Sequence, residues 1–212
     1  MYINGQWLST ATRFPVFNPA TGEQLGEVAN GDRGHAREAI TAAAAALPGW
    51  SATTAYERSE RLYTAHRLMM ERRPQLAELM TREQGKPLKA SMNEVKYAAD
   101  FLLWFAEEAK RIYGETIPSA RADQRFLVHK QAVGVVAAVT PWNYPISMLT
   151  RKLAPALAAG CTVVLKPAEA TPLCAIAVFE ILDAVGFPPG VVNLVTAEAP
   201  QAIGEEFCTN PL

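Results

Sequence analysis

Apolar residues in the first half of the chain recur every three or four positions, a spacing that predicts a series of helices. Asp32 is a suitable N-cap for the first helix, which contains the run Ala42–Ala46 and is expected to end at Pro48-Gly49. The other predicted helices are one from Thr54, one with Pro74 in its first turn and Gly85 as its stop, and one from about Leu88 to Ile112.

The last of these helices carries Glu107 four residues before Arg111, a spacing that predicts a helix-supporting ion pair. Each helix has one apolar face, so we expect the whole series to pack against another layer of the fold.

The second half of the chain changes to short apolar runs separated by turn residues. After an extended segment at Arg125–Lys130, the predicted order is strand Val133–Thr140, helix Pro145–Ala159, strand Thr162–Lys166, helix Pro172–Val185 and strand Val191–Thr196. Strands rich in valine and leucine without alternation are typical of a parallel sheet covered on both faces. The pattern is half of a doubly wound nucleotide-binding domain. A further helix at Gln201–Phe207 lacks the strand that should follow, so we expect a truncated chain.

Composition narrows the function classes. The 212 residues are 50% hydrophobic with a formal net charge of −1, which excludes a disordered chain and argues against a nucleic-acid binder or a polybasic membrane anchor. The uncharged stretch Gln131–Thr150 is interrupted by Gly134 and Pro141, so we interpret it as a strand and a turn, not a membrane span. Three cysteines without a CxxC pair favour the reducing cytosol and no metal site.

Ligands of a doubly wound sheet bind beyond the carboxyl ends of its strands. The candidate loops are therefore Thr140–Pro145 and Lys166–Pro172. Neither loop holds a G-x-G-x-x-G fingerprint, so a dinucleotide would have to be bound by side chains and helix N-termini.

Long motifs stand at these loops and around the neighbouring helices. They are Pro141–Pro145, Lys152–Thr162, Lys166–Glu169 and Gly186–Asn193. In this order and spacing they resemble the aldehyde dehydrogenase superfamily, over essentially the whole chain. Further segments are most similar to its succinate-semialdehyde dehydrogenase subfamily, although glutarate-semialdehyde enzymes share much of them: Arg58–Glu60, Glu83–Pro87, Trp104–Ala109 and Thr150–Lys152.

The resemblance implies an α/β fold of the aldehyde dehydrogenase type. Its expected parts are N-terminal strands and a helical layer of the cofactor domain at 1–118, an oligomerisation arm at 119–130, and at 131–212 three strands of an incomplete dinucleotide-binding sheet. In the family the arm joins a neighbouring subunit, which implies a homodimer or homotetramer. The cytoplasmic location is expected from the cysteine usage given above.

The resemblance also implies roles in aldehyde chemistry. Asn143 matches the asparagine that holds the oxyanion, although asparagine is equally suited to a plain helix N-cap. Arg151 matches an arginine of semialdehyde enzymes, and its guanidinium could hold a substrate carboxylate. Lys152 resembles a lysine near the nicotinamide and the catalytic water, and Tyr144 would line the substrate tunnel. Arg151 and Lys152 could instead be ordinary surface residues, and Tyr144 a core residue.

The cofactor implied by the family is NAD, with NADP possible. Lys166 and Glu169, with Ala168 between them, match the residues that meet the adenosine ribose, although a solvated surface pair is the alternative. The Glu169 carboxylate would repel a 2′-phosphate, which favours NAD, whereas subfamily members that prefer NADP tend to carry a small polar residue there. The remaining implied cofactor contacts are Val139, Thr140, Pro141 and Trp142 on the nicotinamide side, and Gly204. Trp142 could equally pack in the core.

The chain departs from the family in its cysteines. Cys161, Cys174 and Cys208 match no family nucleophile, and we interpret all three as buried small hydrophobes. The nucleophile and the glutamate base are expected beyond Leu212, so this chain alone is predicted to be inactive. The alternatives are a dehydrogenase for glutarate semialdehyde or another aldehyde, and a non-catalytic nucleotide-binding or dimerising module.

Overall fold

The computed structural model describes residues 1–212 and contains the predicted helical half. Asp32 and Thr54 each cap a helix by accepting a backbone N–H, and Gly85 ends a helix in the left-handed conformation, as predicted. The helices of this half are α1 (Arg33–Ser51), α2 (Ala55–Glu71), α3 (Arg73–Gln84) and α4 (Leu88–Glu108), followed by a 3₁₀ turn (Ala109–Arg111).

Two local predictions in this half are wrong. Helix α1 does not end at Pro48-Gly49 but continues to Ser51, because Trp50 is buried and its ring packs against Phe187 at 5.6 Å between centroids. The ion pair of Arg111 is formed with Glu108, at 2.9 Å, instead of Glu107. The α-helix has given way to a 3₁₀ turn there, in which residues three apart are aligned.

The predicted parallel sheet is present, and it is larger than three strands. The parallel strands are β7 (Val135–Val139), β8 (Thr162–Lys166) and β9 (Val192–Leu194), connected by α5 (Ser147–Ala158) and α6 (Pro172–Val185), with α7 (Gln201–Thr209) after them. Each element lies within two residues of its predicted bounds. Two short N-terminal strands, β1 (Tyr2–Ile3) and β2 (Gln6–Trp7), add antiparallel to the β9 edge, so the sheet order is β2-β1-β9-β8-β7.

Both faces of the sheet are covered by helices. On β8, Val163 and Leu165 point into the main core with α5, α6 and the helices α2–α4 behind them. Val164 points to the other face, into a second cluster that contains residues of α1 and Ile203 of α7. The order of layers is therefore α1 and α7, the sheet, the crossover helices, and the helical layer.

Two antiparallel hairpins lie outside this arrangement. The first, β3 (Arg13–Phe17) and β4 (Gln24–Ala29), packs Phe14 and Val16 against α6. The second, β5 (Glu115–Pro118) and β6 (Arg125–Val128), is exposed at every residue. The predicted boundary between the helical layer and the oligomerisation arm, after residue 118, falls inside this exposed ribbon, since β5 lies before it and β6 after it. No helix of the fold has the length and apolar composition that crossing a bilayer requires.

Candidate active site at the carboxyl edge of the sheet

The sheet brings the two candidate loops side by side. Val139 at the end of β7 is the register partner of Lys166 at the end of β8, and the backbone N–H of Thr140 donates to the carbonyl of Lys166 at 3.1 Å. The loops that follow, 141–146 and 167–171, therefore leave the sheet at neighbouring points of one edge.

The first loop begins with an exposed apolar surface. Val139 and Trp142 are each more than half exposed, the indole at 57%, whereas Thr140 between them is buried. Trp142 is thus not a core residue, and the alternative that it packs inside the protein is wrong. Exposed apolar side chains at the mouth of a sheet are suited to a flat, largely apolar ligand ring.

Asn143 is exposed and its side-chain amide forms no hydrogen bond with the protein. Helix α5 is not capped by it: the cap position is Ile146, and the free backbone N–H groups of Ile146 and Ser147 donate to Glu94 Oε1 at 3.1 and 3.2 Å. The helix-capping alternative for Asn143 is therefore wrong. Asn143 is held through its backbone carbonyl, which accepts a hydrogen bond from Lys86 Nζ at 3.0 Å.

The same lysine contacts the next residue of the loop. Lys86 Nζ lies 4.0 Å from the centre of the Tyr144 ring and forms an ion pair with Glu94. Lys86 lies in the segment Glu83–Pro87 that carried the resemblance, but neither it nor Glu94 was predicted to belong to the site. A usable signal was present, because Glu94 occupies the apolar face of α4 together with Ser91 and Ala98.

The second loop carries an ion pair whose lysine is buried and whose glutamate is half exposed. Lys166 is only 3% exposed, and its Nζ donates to Glu169 Oε2 at 2.9 Å, with Ala168 buried between them. Burial is the largest single influence and would raise the pKa of the Glu169 carboxyl. The hydrogen bond from Lys166, a backbone hydrogen bond and the charge of Lys166 together outweigh it and hold that pKa below its usual range. At such a pair the Glu169 carboxylate can accept from one hydroxyl of a diol, while the Lys166 ammonium donates to the other.

A second buried glutamate fixes the start of α6. Glu83, at the end of α3, accepts the backbone N–H groups of Leu173 and Cys174 at 2.5 and 2.9 Å. Burial raises the pKa of Glu83 to about 7, against the opposing effect of those hydrogen bonds. Each crossover helix that follows a candidate loop is therefore capped by a carboxylate from the helical layer.

Glu83→Gln should remove a pH dependence from the folding stability. The folded protein holds the Glu83 proton up to a pKa of about 7, whereas the unfolded chain releases it near 4.5, so rising pH favours unfolding between those values. The wild type should lose up to about 3 kcal/mol of unfolding free energy relative to the variant over this interval. Urea denaturation of both proteins at about pH 5 and about pH 8 measures this effect. If the unfolding free energies of wild type and variant differ by the same amount at both pH values, the prediction is contradicted.

Arg151 is an exposed residue of α5, yet its side chain is held. Its Nη2 donates to the Tyr97 hydroxyl at 2.9 Å, and its Cζ lies 5.2 Å from the centre of the Phe101 ring. Tyr97 also lines a cavity of about 360 Å³, together with Lys86, Ala90, Asn93, Glu94 and Tyr144. Tyr144 is half exposed at this cavity, so it is not a core residue. Lys152 is exposed and forms no hydrogen bond or ion pair.

Gly204 lies on α7, which starts after the carboxyl end of β9 at the same edge of the sheet. A Cβ at this glycine would meet no atom within 4 Å, so the helix face is open there.

The three cysteines differ in their exposure. Cys161 and Cys174 are buried, while Cys208 is exposed, which corrects the expectation that all three are buried. Burial raises the pKa of the Cys174 thiol well above its usual value, and the Glu83 carboxylate raises it further. A thiol in that environment does not form a nucleophilic thiolate at neutral pH.

Comparison with known proteins places these features in a family. The sequence model of the aldehyde dehydrogenase family matches residues 7–212. The chain is 53% identical to succinate-semialdehyde dehydrogenase [NADP(+)] of Escherichia coli (strain K12) over 212 residues, which are 99% of the chain and 44% of that protein. It is also 53% identical over 206 residues to glutarate-semialdehyde dehydrogenase of Pseudomonas putida, covering 96% of the chain and 43% of the relative.

A solved structure shares the fold. The crystal structure of succinate-semialdehyde dehydrogenase from Burkholderia pseudomallei superposes with a TM-score of 0.97 at 46% identity, over 99% of this chain and 44% of that one. The chain therefore spans less than half the length of the proteins it matches.

Proposed function

The chain belongs to the aldehyde dehydrogenase family, and we propose that it forms the cofactor-binding part of an enzyme that oxidises succinate semialdehyde to succinate. The observation that carries this proposal is the state of Asn143, whose backbone is held by Lys86 while its side-chain amide bonds nothing in the protein. An amide held in that way is available to donate to an oxyanion on a ligand.

The residues at the carboxyl edge fit a nicotinamide dinucleotide. Val139 and Trp142 offer an exposed apolar surface to a ring, Lys166 and Glu169 offer a donor and an acceptor to a ribose, and α7 is open at Gly204. When bound, the nicotinamide accepts the hydride that leaves the substrate carbon.

The residues of this chain would bind and orient the substrate during that reaction. The Asn143 amide donates to the oxygen of the aldehyde as it gains negative charge. Arg151 binds the distal carboxylate, and Tyr97 and Phe101 hold the guanidinium in one orientation. The carboxylate of Glu94 and the ammonium of Lys86 compensate one another, so the neighbouring cavity carries no excess charge.

Cys161 and Cys174 are buried, and the exposed Cys208 matches no nucleophile of the family, so we propose that the nucleophilic thiol and the base come from a part of the protein outside residues 1–212. The chain on its own should then oxidise no aldehyde.

Glutarate semialdehyde is the competing substrate. It carries the same two functional groups one methylene further apart, and the Pseudomonas putida relative named for it has the same identity to this chain as the Escherichia coli relative. A single methylene changes specificity by roughly 10- to 200-fold, so a direct comparison of the two substrates separates them.

The test is a steady-state assay of the complete protein that contains this chain. We expect kcat/KM to be highest for succinate semialdehyde, lower for glutarate semialdehyde and lowest for butanal, which has no carboxylate. Equal values for butanal and succinate semialdehyde would overturn the substrate assignment, and no reduction of NAD or NADP by any aldehyde would overturn the activity.

For the cofactor we propose NAD ahead of NADP, on the ground that the ionised Glu169 carboxylate repels a 2′-phosphate. Glu169→Ser should therefore improve kcat/KM with NADP relative to NAD by roughly tenfold. Glu71→Ser is the matched control, because Glu71 is a similarly exposed, ion-paired glutamate on α2. A ratio that moves no more in Glu169→Ser than in Glu71→Ser would contradict the role of Glu169.

The exposed ribbon β5–β6 supports assembly into a homodimer or homotetramer. Both of its strands are open to solvent, and four of its apolar residues are exposed: Ile117, Phe126, Leu127 and Val128. An exposed apolar two-stranded ribbon is suited to pairing with another sheet.

A further inference from the structure

Two residues of the helical layer hold the Asn143 loop at both of its ends. We propose that Lys86 and Glu94 are positioning residues that fix the backbone from which the Asn143 amide reaches the oxyanion. This inference rests on the function proposed above, because it assigns a purpose to the loop only if Asn143 meets an oxyanion.

Lys86 fixes the beginning of the loop. Its ammonium group has three N–H donors, and the structure offers three partners: the Glu94 carboxylate, the backbone carbonyl of Asn143 at 3.0 Å, and the face of the Tyr144 ring at 4.0 Å. Two of these partners belong to the loop. The side chain of Lys86 is only 13% exposed, so water competes little for these contacts.

Glu94 fixes the end of the loop. Its side chain is 1% exposed, and Oε1 accepts the backbone N–H groups of Ile146 and Ser147, while Oε2 receives Lys86. These N–H groups begin α5 and have no partner within the helix. One carboxylate thus satisfies the first turn of α5 and the ammonium group that holds Asn143.

The arrangement matters because the Asn143 side chain has no contact of its own. The protein therefore constrains the position of this side chain through the backbone, which is anchored at Asn143 by Lys86 and three residues later by Glu94. A displacement of about 1 Å in a group that must meet the reacting atoms can cost roughly 100-fold in rate. A pair that prevents a fraction of that displacement should therefore act on kcat.

The pair must be removed as a unit. Deleting one partner would leave a buried uncompensated charge, which destabilises proteins strongly. The principal variant is therefore the double substitution Lys86→Met with Glu94→Met, which removes both charges and the acceptor of the Ile146 and Ser147 N–H groups at similar volume. Glu94→Asp is the second variant: it keeps the charge beside Lys86 and shortens the reach toward Ile146 and Ser147.

The experiment uses the complete enzyme. At saturating cofactor, we expect the double variant to lower kcat about tenfold for succinate semialdehyde and for butanal alike, since both form the same oxyanion. The Kd of the cofactor, measured by fluorescence titration, should stay within about twofold, because the Lys166–Glu169 loop is held by Glu83 instead. Hydrogen exchange at the amides of Ile146 and Ser147 should become faster.

Asp183→Asn is the matched control, since Asp183 also accepts two hydrogen bonds from other elements, Tyr2 Oη and Trp7 Nε1, both at 3.0 Å. It should leave kcat and the exchange of Ile146 and Ser147 unchanged. An active wild type whose double variant exchanges faster but keeps its kcat would show a purely structural pair and overturn the inference. If the double variant does not fold, Glu94→Asp decides the matter. Faster exchange at Ile146 and Ser147 in Glu94→Asp with an unchanged kcat would also overturn the inference. A wild type without aldehyde activity overturns the proposed function instead.

Discussion

Replacing Asn143 with alanine should lower kcat of the complete enzyme by about 100- to 1,000-fold, for succinate semialdehyde and butanal alike. The loss is large because the amide donates to charge that develops only in the transition state, and it is equal because both aldehydes form the same oxyanion. Stability should not change, since the side chain bonds nothing in the protein. Steady-state kinetics and thermal unfolding of the variant measure both quantities.

A second asparagine provides the control for this variant. Asn193 is buried, and its Nδ2 donates to the carbonyls of Val163 and Gly190 at 3.3 and 2.8 Å. Asn193→Ala should therefore lower the free energy of unfolding by about 1–3 kcal/mol while sparing kcat. A loss of kcat below tenfold in Asn143→Ala, or one matched by Asn193→Ala, would exclude Asn143 as the oxyanion donor.

The second large effect is expected at Arg151. Arg151→Gln should lower kcat/KM for succinate semialdehyde about 10- to 100-fold more than for butanal. A hydrogen bond to a charged group contributes roughly 1.5–3 kcal/mol, and only succinate semialdehyde has a carboxylate that can form this bond with Arg151. The measurement is the ratio of kcat/KM for the two aldehydes, in the variant and in the wild type.

Arg67→Gln is the matched control for a helix arginine on the surface. Arg67 pairs with Glu71 at 2.9 Å within α2 and has no contact with the candidate site residues. Its replacement should leave the ratio unchanged. Equal losses for both aldehydes in Arg151→Gln would reduce Arg151 to a residue that packs on Tyr97 and Phe101, and the preference for a semialdehyde would lose its physical support.

The ends of the helices could be predicted from sequence where local chemistry determines them. Asp32, Thr54 and Gly85 each satisfy backbone groups at a helix end, and the helices begin or stop there. Pro48 failed as a stop signal because burial of Trp50, two residues later, favours another turn of helix. A tertiary contact of that kind has no local signature.

The N-terminal strands show two different limits. Strands β1 and β2 have two residues each, too short for any periodicity to appear. The alternation in β3, where Phe14 and Val16 are buried between exposed neighbours, was available in the sequence, but the N-terminal strands were expected from the family resemblance alone and without bounds.

The candidate site was predictable only in part. Its loops follow from the strand pattern, and the motifs drew attention to Asn143 and Glu169. The segment Glu83–Pro87 carried part of the resemblance, but no site role was predicted for Lys86, Glu94 or Glu83, because their partners lie 52 to 91 residues further along the chain. Sequence periodicity reports which face a residue occupies, not which distant backbone group it meets.

The two glutamate caps also have a consequence for the order of folding. Glu94 is separated from Ile146 by 52 residues, and Glu83 from Cys174 by 91, so the ribosome completes the helical layer well before either crossover helix exists. Contacts over such separations form slowly, because the loops between them must first close. Until α5 and α6 exist, the Glu83 and Glu94 carboxylates of the nascent layer are open to water, and Lys86 is already available to pair with Glu94. Because these contacts form late, substitutions at Glu83 or Glu94 should speed the unfolding of the folded protein more than they slow its refolding, which stopped-flow measurements in urea would show.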